Sequence, residues 1–115
     1  MGWLNTIAAF FKYLWKELVK LGHVIMKKIL YFTKNIAEFF KNPKRWTMLK
    51  ANKKILPIVI REKLKNGGYN TISCLFDEEK DDVVNIEEDA QGFECERLDS
   101  ELSNYFGDKD MIILR

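Results

Sequence analysis

Eleven positions, Leu4, Ala8, Phe11, Trp15, Leu18, Gly22, Ile25, Ile29, Phe32, Ile36 and Phe39, follow one another at alternating steps of four and three residues. That alternation is the period of a helical seam. It predicts one amphipathic helix over residues 3–41, about 60 Å long at 1.5 Å per residue. A helical hairpin bent at Gly22 is the alternative. The opposite stripe holds Asn5, Lys12, Lys16, Lys20, His23, Lys27, Lys34, Glu38 and Lys41. Asn42-Pro43 then punctuates the pattern, because the residue before proline leaves the helical region and Asn-Pro suits the start of a new helix.

The apolar face is wider than a coiled-coil seam, since Trp3, Ile7, Phe10, Leu14 and Leu21 extend it to one side. Ten of the fifteen aromatic residues fall within residues 1–46, and rings at seam positions fit poorly in a two-stranded coil. An anionic membrane surface rewards such a face, as does a bundle of packed helices. The expected membrane- or partner-docking residues are Trp3, Leu4, Ile7, Phe10, Phe11, Leu14, Trp15, Leu18, Ile25, Ile29, Phe32, Ile36 and Phe39. The seventy or so residues after Pro43 are too few to cover a 60 Å helix, so this reading demands a second surface: another copy, another protein or a bilayer.

Net charge hides a strong division. The chain carries +2, yet residues 1–65 hold fifteen Lys/Arg against three Glu, or +12, and residues 66–115 hold four against fourteen Asp/Glu, or −10. The expected anionic-surface-binding residues are Lys12, Lys16, Lys20, Lys27, Lys34, Lys41, Lys44, Arg45, Lys50, Lys53 and Lys54. Charges of this kind attract anionic lipid or nucleic acid, although residues 41–65 show no recognised nucleic-acid motif around Trp46.

After Pro43, Trp46, Leu49, Leu56, Ile60 and Leu64 recur at near-helical spacing, which predicts a second basic helical segment over 43–66. Pro57 kinks it or starts a fresh helix, and Gly67-Gly68 stops it. Tyr69 to Phe76 alternates as a strand does. Val83–Ile86, Gly92–Leu98 and Met111–Leu114 read as further strands, with a short helix after Asp99 that ends at Gly107. The expected architecture is α+β: a long N-terminal amphipathic helix, a basic helical segment and a small antiparallel β-meander with one short helix and helix on one face. Residues 1–42 form the helical extension and residues 43–115 a small α+β domain, helical over 43–66 and an acidic sheet over 68–115.

No chemistry stands out. His23 is the only histidine, Gly67-Gly68 lacks phosphate-loop spacing, and Asp77, Glu79 and Asp81 begin a calcium-loop pattern that breaks where Asp82 replaces the required glycine. Cys74 and Cys95 read as small strand residues in a reducing compartment. Met1-Gly2 through Thr6 matches a myristoylation signal only loosely, and neither a cleavable signal nor a spanning segment is expected. The expectation is therefore a non-enzymatic protein with no cofactor and no metal, cytoplasmic or peripheral at a membrane. Its expected partner is an anionic membrane surface or another protein, with homo-oligomerisation; nucleic acid ranks lower. A masking of the basic half by the acidic half would use the charge division directly.

Overall fold

The computed structural model describes residues 7–114. The α+β class holds, but the long helix does not. Helix α1 spans Ile7–Leu21 and stops at Gly22, where φ is +73°. The His23 N–H bonds to the Leu18 carbonyl at 2.9 Å and the Gly22 N–H to the Val19 carbonyl at 3.2 Å, a Schellman stop. Strand β1, Val24–Leu30, follows directly. The correction has a simple cause. A step of four fits a helix turn and is also twice the strand period, so Ile25 and Ile29 satisfy both patterns. The helical hairpin is excluded by the same strand.

Beyond β1, a π-helical turn over Phe32–Ile36 runs into α2, Ala37–Lys41. Asn42 caps α3, Pro43–Ala51, by accepting from the Lys44 N–H at 3.1 Å, with Pro43 in the first turn as expected. The helical segment ends there, short of residue 66. Strand β2, Ile55–Lys63, takes its place, because Leu56 to Ile60 are all buried and rich in β-branched side chains. Pro57 neither kinks a helix nor begins one. Its carbonyl accepts from the Leu114 N–H at 2.9 Å, so its hydrogen-less nitrogen faces the side where the neighbouring short strand has run out. Gly67-Gly68 turns β2 into β3, Tyr69–Asp77, rather than stopping a helix.

The remaining elements are β4 at Asp82–Val83, β5 at Ala90–Leu98, α4 at Ser100–Phe106 and β6 at Met111–Ile113. The sheet has six strands in the order β1-β5-β3-β2-β6, with β4 on β3. It is mixed, not purely antiparallel, since β1 runs parallel to β5. Both faces are covered. On one, Phe11, Leu14 and Leu18 of α1 pack on Leu56, Ile58, Ile60, Ile72, Cys74 and Phe76. On the other, Ile36, Phe39, Phe40, Leu102 and Phe106 pack on Val59, Leu75, Phe93 and Cys95. At ~1.5–3 kcal/mol for each large apolar side chain removed from water, either layer is a substantial part of the stability.

Candidate functional site

The sequence-derived docking stripe is divided by this fold. Trp3 and Leu4 lie outside the described residues. Phe11, Leu14, Leu18, Ile36 and Phe39 are buried in the two core layers. Ile7, Phe10, Trp15, Ile29 and Phe32 are half-buried, and Ile25 is exposed. Among the described residues the seam is thus largely covered by the sheet, which corrects the expectation that it needs an outside surface. No helix among the described residues is long and apolar enough to cross a membrane.

What stays in water is the flank of α1 and the edge strand beside it. Nine large apolar side chains are exposed among the described residues, and six of them, Tyr13, Val19, Leu21, Ile25, Met26 and Tyr31, fall between positions 13 and 31. They are interleaved with exposed Lys12, Lys16, Lys20, Lys27 and Lys28. Along α1, Lys12, Lys16 and Lys20 rim a groove of about 400 Å³ whose floor includes Phe11, Trp15 and Val19, with Glu62 on the sheet opposite. Trp15 stacks on Phe11 with centroids 5.9 Å apart. Gly92 makes room for it, since a Cβ there would lie 2.9 Å from the indole.

Past the end of α1's cover, the same sheet face is open. Glu62, Asn70, Glu94 and Met26 form a cross-strand row, as the register of β2, β3, β5 and β1 places them side by side. The next row holds Leu64, Gly68, Glu96 and Lys28 around a trough of about 750 Å³. Met26 is 75% exposed. Strand β1 ends the sheet, and no strand lies on its outer side among the described residues. Neither Lys27 nor Lys28 takes part in an ion pair among those residues.

Other expected cations are already engaged. Arg45 lies 3.2 Å from the buried Asp89 carboxylate, donates to the Phe39 carbonyl at 3.1 Å and the Glu88 carbonyl at 2.9 Å, and covers the Phe39 ring at 3.9 Å. Lys44 bonds Glu88 at 2.7 Å and sits 3.8 Å from Asp89. That hydrogen bond raises the Lys44 pKa and lowers that of Glu88. Lys34, Lys41, Lys50, Lys53 and Lys54 are exposed. Lys50 lies 6.0 Å from the Trp46 ring, beside a second apolar groove of about 430 Å³ between α3 and the β2–β6 edge.

The acidic loop serves its own turn, with the Asp77 carboxylate accepting from the Glu79 and Lys80 N–H groups at 2.9 and 3.2 Å. The thiols lie on opposite faces of the sheet, and burial pushes Cys74 up to about 12 and Cys95 up to about 11. Both are held as neutral core side chains.

Lys28, Met26, Tyr13, Val19 and Tyr31 are the surface residues that the seam leaves out. The run Val24-Ile25-Met26 after Gly22-His23 was the available signal, because a β-branched run after a left-handed glycine suits a strand start. Compared with known proteins, the chain matches no family model, no curated protein and no solved structure.

Proposed function

We propose that this chain is a non-enzymatic docking protein that binds an acidic protein surface through the exposed flank of α1 and the edge strand β1. One observation carries the reading: six of the nine large apolar side chains exposed among the described residues lie on or next to these two consecutive elements, between positions 13 and 31, together with five exposed lysines. Apolar area supplies contact and lysines supply steering, which together describe an interface for a partner of opposite charge. The core role of Phe11, Leu14 and Leu18 argues against their insertion into a bilayer, because α1 would have to leave the sheet to expose them. A peripheral membrane contact is the second reading, favoured by Lys12, Lys16 and Lys20 with Tyr13 and Val19 on one helix.

Fluorescence anisotropy with labelled poly-glutamate, run beside flotation with phosphatidylcholine vesicles with and without phosphatidylserine, separates these. The protein is expected to bind poly-glutamate in a salt-sensitive way and to weaken about tenfold when Lys12, Lys16 and Lys20 are changed to Glu. Flotation with phosphatidylserine vesicles that exceeds poly-glutamate binding, and is lost on Val19→Glu, would put the membrane reading first. Loss on Lys53→Glu/Lys54→Glu alone, with salt-sensitive retention of DNA, would favour a nucleic acid. Light-scattering mass in the same buffers reports self-association.

A further inference from the structure

Resting on that docking reading, we infer that β1 is a receptor edge: it takes an extended acidic segment of a partner protein as a seventh strand. The Gly92 N–H bonds to the His23 carbonyl at 2.9 Å, and Val24 to Lys27 pair in order with Gly92 to Cys95. In a parallel ladder this register turns the peptide groups of Ile25 and Lys27 toward β5. Those of Val24 and Met26 point away from the sheet. These outward groups are a template for main-chain pairing.

Side chains set what fits. Val24 packs in the α1 layer, so Val24 and Met26 lie toward that face and Ile25 and Lys27 toward the other; past Lys27 the alternation breaks, because Leu30 is buried in the opposite layer. An added strand therefore meets apolar neighbours at Val24, Ile25 and Met26, followed by two adjacent exposed cations, Lys27 and Lys28. The complementary segment carries two consecutive acids between apolar residues. Its side chains run beside the open trough next to Met26, which Glu94 and Glu96 line along with Lys27 and Lys28, so the selective cations are those two lysines on the edge itself.

A second copy of this chain is the poorer occupant. Two β1 strands meeting antiparallel about Lys27 would set lysine against lysine, and meeting about Met26 would set Lys27 against Ile25 and Lys28 against Val24; β1 carries no acid, so in neither register does a lysine find an opposite charge. The same lysines that disfavour self-pairing select an acidic strand, so attraction and exclusion come from one pair of residues.

The test uses the intact protein and a labelled octapeptide, TVIEEIVT, with TVIKKIVT as its charge-reversed counterpart. TVIEEIVT is expected to bind, and TVIKKIVT is not. Lys27→Glu/Lys28→Glu should weaken TVIEEIVT about tenfold and let TVIKKIVT bind. Hydrogen exchange should show the Val24 and Met26 amides fast in the free protein and slowed by the peptide, with Ile25 and Lys27 slow in both. N-methylating TVIEEIVT at alternate positions should abolish binding in one phase and spare it in the other, because an added strand pairs along one edge only. Binding that tolerates N-methylation in both phases, or leaves the Met26 amide fast, overturns strand addition while poly-glutamate binding keeps the docking reading. Absence of binding to both TVIEEIVT and poly-glutamate overturns both.

Discussion

At the scale of single residues, the closest fit in the molecule is a glycine under an indole. Gly92 does not need its conformational freedom; it needs its missing side chain, since a Cβ would stand 2.9 Å from Trp15 and 3.2 Å from Val24. Gly92 also pairs with Val24 at the start of β1. One atom therefore affects both the seat of α1 and the edge strand. Gly92→Ala is expected to destabilise the protein by about 1–3 kcal/mol, the range for an added carbon in a packed site. In a Trp15→Leu background the same change should cost less, because the smaller side chain leaves room. Urea unfolding of the four proteins of this cycle measures the coupling, and equal costs in both backgrounds would mean that the indole is not what the methyl meets.

At the scale of elements, α3 is pinned to the start of β5 by charge rather than by a deep apolar face, for α3 buries no residue fully. Asp89 is 2% exposed and faces Arg45 at 3.2 Å, with Lys44 at 3.8 Å. Removing one member of a buried pair leaves the other desolvated and alone, which typically costs 3 kcal/mol or more. Asp89→Ala should thus lower stability by about 3 kcal/mol in urea unfolding, whereas the exposed Glu88→Ala should change it far less. An equal effect of the two would show that the pin is superficial. The Lys44–Glu88 pair adds a pH signature. Glu88's lowered pKa means its contribution is present above its unfolded value and is lost as pH falls through the folded one.

These elements also show what the sequence could and could not disclose. The cap at Asn42-Pro43, the strand from Tyr69, the strand ending at Leu98 and the helix ending at Gly107 were legible, because each has a local cause. Strands β1 and β2 were not. Ile25/Ile29 and Leu56/Ile60/Leu64 step by four, and a step of four is shared by helix and strand. Only burial on both sides of the sheet decides between them. The parallel pairing of β1 with β5 joins residues about seventy positions apart, and nothing local encodes it. The lysine stripe and the apolar seam are visible in the sequence as patterns, but the division of the seam into core and the open edge beside it appear only once the sheet is assembled.

At the scale of the whole molecule, the +12 and −10 halves are not two bodies facing each other; they are interleaved in one sheet. Residues 1–65 supply β1 and β2, and residues 66–115 supply β3 to β6. In the strand order β1-β5-β3-β2-β6, two strands of the acidic half stand between the two strands of the basic half. Cross-half ion pairs follow, such as Lys44 with Glu88, Arg45 with Asp89 and Arg61 with Asp110. A detachable acidic mask over free-standing basic helices is incompatible with this topology. A fragment of residues 1–65 has two strands that cannot reach each other, and residues 66–115 lack the strand that joins β3 to β6. Each fragment alone should show no cooperative unfolding transition by circular dichroism. Mixed, they should regain sheet signal, because the missing neighbours are restored and opposite net charges bring the halves together. Added salt should weaken that association, since screening acts on the long-range attraction more than on the buried contacts. Cooperative unfolding of residues 1–65 alone would contradict the interleaved sheet and return the basic half to an independent helical element.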